Sequence, residues 1–146
     1  MDKLDIRLID HNSVEYHAEV ELRHSILRRP LGLQFSTEEL AGESTSLHIG
    51  CYFEGKLIGC LVLRPKSTAQ IQMRQVAVND EIQGRGIGKR MVEYSEALAR
   101  SLGFMEMVLH ARETAVPFYE AMAYTKVGDR FTEVTIPHWS MVKVLM

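Results

Sequence analysis

An α/β fold, with one mixed and largely antiparallel twisted sheet of six to seven strands and about four flanking helices, is what this sequence predicts. Three observations carry that expectation. Period-two runs recur along most of the chain, and one pair of them is joined by a tight-turn signature. After Val78 the pattern changes to a helical period and then returns to a strand, which is the mark of a right-handed parallel crossover. No linker, repeat or low-complexity stretch interrupts the 146 residues, so residues 1–146 read as a single domain.

The elements follow in order. Leu4 to Ile9 alternates apolar and polar and reads as a half-buried strand. Ser13 is a plausible N-cap, and Val14, Ala18, Leu22 and Ile26 then recur every fourth residue as an expected apolar face. Pro30 and Gly32 stop that helix, and Arg23, His24, Arg28 and Arg29 give its polar end charges that suit a C-terminus; Arg23, Arg28 and Arg29 are expected to face water, or alternatively an acidic acceptor. Phe35 to Gly42 reads as a short helix capped by Ser36, with Glu38 and Glu39 in its first turn. Leu47–Phe53 and Leu57–Leu63 flank Glu54-Gly55-Lys56 and predict a hairpin, with Cys51 and Cys60 near each other as reduced packing residues. Ala69 to Val78 is the next strand. Ile87, Met91, Tyr94, Leu98 and Leu102 line one face of the following helix, which Gly103 ends. Met105 to His110 is a strand, Ala115 to Met122 a short helix, and Tyr124–Phe131 and Ser140–Leu145 are the last two strands.

Composition narrows the function. The chain carries 17 Lys+Arg against 19 Asp+Glu, a net charge of −2, which argues against a dedicated nucleic-acid binder. No apolar run is long enough for a membrane span, and Met1 to Asp5 lack the pattern of a signal peptide, so a cytoplasmic protein with no membrane partner is expected. Two cysteines make neither a disulfide framework nor a metal pair, and the six histidines do not cluster at ligand spacing, so no metal is expected.

The most informative segment is Asn79 to Arg90, which joins Val76-Ala77-Val78 to the amphipathic helix. Gly84, Gly86 and Gly88 lie within five residues there. The first amides of a helix have no internal partner and its positive end favours anions, so this turn is an anion site. Arg85, Lys89 and Arg90 add positive charge where a helix start normally prefers acids. A solvated helix face, with Lys89 and Arg90 paired to Glu93, is the plainer account of the last two. The phosphate-loop pattern fails, because Gln83 stands at its first glycine and Arg90 follows Gly88-Lys89. The dinucleotide pattern fails too, because Lys89 occupies its third glycine.

The segment Gln83-x-x-Gly86-x-Gly88 resembles the acyl-CoA-binding motif of the GNAT superfamily of N-acetyltransferases. The resemblance runs through Arg74 to Val78 before the loop, and through the helix ending Ala99 to Phe104 after it. It continues in His110 to Tyr124, which is similar to the family's C-terminal signature, and covers about Gln72 to Phe131. It implies a GNAT-like domain with a splayed central parallel strand pair, acetyl-CoA as cosubstrate, and transfer of the acetyl group to an amine in a ternary complex. Residues Gln83, Gly84, Arg85, Gly86, Ile87, Gly88 and Lys89 would hold the CoA pyrophosphate. Val76, Ala77 and Val78 would bond the pantetheine arm, with Arg112 and Phe118 beside them.

Tyr119 matches the position where the family places a tyrosine near the CoA sulfur, so it is the expected general acid. An aromatic core pair, Phe118-Tyr119, would look the same in sequence. The base stays open among His110, His138, Glu133 and Glu113. Histidine suits that task near neutral pH, and water could relay the proton. Arg112 departs from the family's usual asparagine, and Ala123-Tyr124 from its usual glycine and aromatic. Trp139 and Phe35 are either acceptor-pocket walls or core. The acceptor is expected to be a small-molecule or peptide amine, and a homodimer is possible. The alternative to an enzyme is an acyl-CoA-sensing or protein-interaction domain without turnover.

Overall fold

The computed structural model describes residues 4–79 and 85–145. Among these, one sheet takes strands β1 (Leu4–Ile9), β2 (Leu47–Phe53), β3 (Lys56–Pro65), β4 (Gln70–Val78), β5 (Glu106–Arg112), β6 (Thr125–Glu133) and β7 (Ile136–Val144). Four α-helices accompany it: α1 (Val14–Arg23), α2 (Thr37–Ala41), α3 (Ile87–Ser101) and α4 (Val116–Ala121). The strand order is β1-β2-β3-β4-β5-β7-β6. The β4–β5 pair is parallel, and the other neighbours are antiparallel.

Local chemistry explains the well-anticipated parts. Glu54 (φ 51°) and Gly55 (φ 79°) form the two-residue left-handed turn that matches the twist of β2 and β3. Cys51 and Cys60 lie on these paired strands, both buried and both free thiols. Ser13 accepts a hydrogen bond from the Tyr16 amide at 3.1 Å and starts α1. Ser36 and Glu39 make a reciprocal capping box at α2. Along α3, Ile87, Met91, Val92 and Ala99 are buried on the sheet, whereas Leu102 is exposed. A Cβ added at Gly59 on β3 would come within 2.9 Å of the Met91 sulfur, so that glycine is what lets α3 approach so closely. Buried Glu96 on the same helix is held by the Tyr124 hydroxyl at 2.9 Å and by Lys143 at 3.0 Å, which ties α3 to β7.

Two expectations change. The inward face of α1 is Tyr16, Glu19 and Arg23, not the aliphatic row; Val14 is 82% exposed and Ala18 is exposed. Arg23 has no solvent exposure, and Arg28 only 8%. Burying a charge is costly unless it is paired. Here Arg23 forks onto Glu43, donating at 2.9 Å to Oε1 and also to Oε2, while Tyr16 donates to Glu43 at 2.7 Å. His48 donates to the Glu43 carbonyl at 3.0 Å, with its other nitrogen 3.4 Å from Glu19. Beyond α1 the helix widens into a π-helical turn, His24–Arg28. Arg23 and Arg28 then bracket the Phe35 ring, with guanidinium carbons 4.6 and 4.1 Å from its centroid.

The second change concerns Ile136 to Trp139, expected to precede the last strand. They belong to β7, where Thr132 pairs with Pro137, Arg112 with His138 and Ala111 with Trp139. Proline is tolerated at the second residue of this strand because β5 ends opposite His138, so no ladder bond to β5 is lost.

Candidate active site

The site begins with a fault in strand pairing. β4 and β5 are paired from Gln70↔Glu106 to Met73↔Leu109, after which both strands continue unpaired to each other. At Gln75 the backbone turns left-handed (φ 55°), and the β3–β4 register shifts between Cys60↔Ala77 and Val62↔Arg74. That bulge bends β4 away from β5. A cleft of about 470 Å³ opens between them, with Arg74 to Val76 along one wall and His110 to Arg112 along the other. Main-chain groups at such a splay are available to a ligand, since nothing across the gap pairs with them.

At the end of β4, the first turn of α3 follows the loop. Gly86 adopts φ 77°, a conformation costly for a side-chain-bearing residue, and its carbonyl accepts from the Arg90 amide at 3.1 Å. Arg85 and Lys89 are exposed at this turn, while the Ile87 side chain lies in the core, so only its main chain faces outward. Gly88 sits against Phe118 and Val78; a Cβ there would lie 3.5 Å from the Phe118 ring. Gln83 and Gly84 lie outside the described residues. The turn has the donors and positive end that an anion needs.

Tyr119, on α4, reaches the cleft from the α3 side of the sheet. It is 7% exposed and packs edge-on against Phe118 and Tyr124, with ring centroids 5.0 and 5.6 Å away. Burial pushes its hydroxyl pKa up to about 12, so the phenol stays protonated throughout the neutral range. Ala123 takes the left-handed position that ends α4 (φ 73°), and the Tyr124 amide closes on the Tyr119 carbonyl at 3.0 Å.

The other side of the cleft holds the histidines. His110 donates from Nδ1 to Glu133 at 2.9 Å. His138 is buried, donates from Nδ1 to the Ile136 carbonyl at 2.9 Å, and has Nε2 3.6 Å from the other oxygen of Glu133. The carbonyl fixes the tautomer, which leaves Nε2 of neutral His138 as a lone pair beside a carboxylate. Glu133 is placed by the β6–β7 turn, where Val134 (φ 43°) and Thr135 (φ 70°) are both left-handed, a strain that β-branched residues seldom accept. Glu113 is instead an exposed partner of Arg130 at 2.9 Å and does not line the cleft. Arg112 reaches across to donate to the Leu27 carbonyl in the π-turn at 2.9 Å. Phe35 is enclosed by Arg23 and Arg28, and Trp139 packs partly into the core under Lys126.

The sequence reading missed Arg64, Lys66, Gln72, Arg74 and Glu39, all of which line the cleft. A signal was present for two of them. Gln72-x-Arg74 and His110-x-Arg112 put polar side chains on one sheet face at period two, in strands whose opposite face is apolar.

Comparison with known proteins places this geometry. The model of the Acetyltransferase (GNAT) family matches residues 9–124, and the chain belongs to that family. An uncharacterized N-acetyltransferase of Chlorobaculum tepidum is 26% identical over 127 residues, covering 78% of this chain and 81% of its own. N-acetyltransferase 8 of Rattus norvegicus is 28% identical over 82 residues, 53% of this chain, and this chain spans only 37% of that longer relative. Among solved structures, an aminoglycoside 6'-N-acetyltransferase complexed with coenzyme A superposes with a TM-score of 0.81 over 97% of both chains at 18% identity, which shows a shared fold. No helix among the described residues is long and apolar enough to cross a membrane.

Proposed function

We propose that the chain is an acetyl-CoA-dependent N-acetyltransferase that moves the acetyl group directly to a primary amine in a ternary complex. The observation that carries this reading is the splayed β4–β5 cleft with a protonated tyrosine on one side and a histidine–carboxylate group on the other. Acetyl-CoA supplies an activated acyl group as a thioester. Arg85, Lys89 and the amides of Gly86, Ile87 and Gly88, with Gln83 and Gly84 of the same loop, take its phosphates. The main chain at Val76, Ala77 and Val78, beyond the last β4–β5 pair, holds the pantetheine arm and polarises the thioester carbonyl, and Phe118 packs beside it.

The proton traffic then divides by side of the sheet. His138 Nε2 accepts a proton from the incoming ammonium, because only the neutral amine is nucleophilic. Glu133 stabilises the imidazolium so formed, and His110 keeps that carboxylate oriented. Tyr119 gives its proton to the departing thiolate. This step is uphill for a phenol of pKa about 12, so its close placement matters, and the tyrosinate recovers its proton, through water, from the second one the amine nitrogen sheds as the amide forms. Arg112 is already bonded to the Leu27 carbonyl, so it contributes by fixing the acceptor wall.

Release of free thiol from acetyl-CoA with a panel of amines tests the activity, and calorimetry with CoA tests the loop. Gly86→Glu places bulk, negative charge and a side chain at φ 77°, and CoA binding is expected to be lost. Gly86→Asn tolerates that backbone and is expected to keep the fold and measurable CoA binding. Undiminished CoA affinity in Gly86→Glu would overturn the loop assignment.

A further inference from the structure

The cleft is lopsided in charge. Five cationic side chains line it, Arg28, Arg64, Lys66, Arg74 and Arg112, against two carboxylates, Glu39 and Glu133. Arg28 is already paired with Glu39 at 3.0 Å, and Glu133 already accepts from His110. Arg64, Lys66 and Arg74 have no ion-pair partner among the described residues.

Arg64 and Arg74 share one face. Val62 pairs with Arg74 and Arg64 with Gln72, so the two arginines are diagonal neighbours on adjacent strands, on the face that α1 and the π-turn cover. Arg74 is half-buried, and both its burial and the charge of Arg64 push its pKa down from the ordinary arginine value. Burial acts first on Arg112 as well, followed by the charge of Arg28. Half-buried Arg74 stands beside the like charge of exposed Arg64, and Glu43 and Glu133 act on it only from beyond ion-pair distance, so the empty site is disfavoured. An anion between them removes that cost, and the guanidinium fork matches carboxylate and phosphate oxygens.

We propose that the acceptor amine carries an anionic group, a carboxylate or a phosphate, which Arg74 and Arg64 receive while its amino end is directed to His138 and Glu133. This rests on the transferase reading above and gives it a substrate class. Polyamines and other polycationic amines are excluded by the same charges. The phosphates of CoA are a different anion, assigned to the first turn of α3.

The test is a matched panel with acetyl-CoA: a ladder of ω-amino carboxylates, the amino alcohols of equal length, phosphoethanolamine and spermidine. The best anionic amine should exceed its matched alcohol in kcat/KM by about ten- to a hundredfold, the range for a charged hydrogen-bonded contact. Phosphoethanolamine against the carboxylates decides which anion is preferred. Arg74→Gln should erase most of that ratio through KM while leaving the affinity for CoA intact, and Arg74→Lys should fall between. Equal or better turnover of the alcohols or spermidine overturns the proposal, as does a loss of CoA affinity in Arg74→Gln that matches the loss for acceptor.

Calorimetric titration of the same compounds into CoA-saturated protein reads the preference without turnover. Tighter binding of the anionic amines, lost in Arg74→Gln, supports the proposal, and equal binding overturns it. Absence of turnover across the panel with that binding preference intact overturns the transferase reading alone.

Discussion

Two polar clusters lie side by side on the α1 face of the sheet, and they are built on opposite principles. Under α1, the Arg23 charge is met by the Glu43 carboxylate, with Tyr16 and His48 bonding the same residue. In the neighbouring cleft, Arg64, Lys66 and Arg74 have no ion-pair partner among the described residues, and His138 Nε2 lies 3.6 Å from Glu133. They are close enough for Glu43 and Arg23 to act on the charge of Arg74. The difference teaches where polar burial serves shape and where it serves chemistry. A buried charge that finds its carboxylate within the fold holds helix to sheet, although Glu19 Oε2 and Arg23 Nε have no hydrogen-bond partner among the described residues, whereas charges left unmatched at a cleft are there for a ligand to meet.

The sharpest way to break the comparison is to remove the carboxylate that Arg23 forks onto. Glu43→Gln leaves the buried Arg23 charge with Glu19 at 3.6 Å as its remaining carboxylate, and the expected loss is about 3–5 kcal/mol in urea unfolding at neutral pH. Burial opposes ionisation of Glu43, but Arg23 outweighs it and holds the carboxyl below its ordinary pKa of 4.5. The stabilisation it gives is therefore present above about that pH and disappears as pH falls through the lower, folded value. Glu43→Gln should lack this acid limb, and a variant that keeps it would locate the acid sensitivity elsewhere.

Next in size is the converse experiment. The Tyr119 hydroxyl is perturbed by burial alone, so Tyr119→Phe removes a proton donor and little packing. Turnover is expected to fall about a hundredfold or more, with the unfolding midpoint nearly unchanged. Wild-type turnover in that variant would remove Tyr119 from the chemistry. Glu133→Gln should lose less, about tenfold in kcat/KM or roughly 1.4 kcal/mol. Wild-type kcat/KM in that variant would remove Glu133 from the chemistry. The smallest effect touches neither network: Ala123→Gly relieves the left-handed strain at the end of α4 and should stabilise by about 0.5–1 kcal/mol with turnover unchanged.

The frame of the fold was legible because it is written locally. Ser13, Ser36, Glu54-Gly55 and the change of period after Val78 each act within a few residues, and the elements stand where those signals put them. The left-handed Gly86 and the start of α3 after it were legible for the same reason. The inward face of α1 was not, since Tyr16, Glu19 and Arg23 become core only through Glu43 and His48, which lie 20 or more residues away. Pro137 disguised the start of β7, and with it the pairing that sets His138 opposite Arg112. The cationic lining was hidden by a net charge near zero, because a sum over the chain says nothing about which charges share a cleft.

The π-turn at His24–Arg28 gives this site an unusual sensitivity to chain length. In an α-helix, residues five apart stand roughly 140° from each other, at 100° per residue, and could not embrace one ring. Arg23 and Arg28 do so because a turn bonded five residues apart carries one more residue than an α-helical turn. The same turn presents the Leu27 carbonyl to Arg112. At this chain length only the widened turn keeps Arg28 on the face of Arg23; held as ordinary helix, it would stand about 140° away and leave the ring. One residue fewer between them would bring the pair to about 40° in ordinary helix, and the ring would keep both arginines without the widened turn.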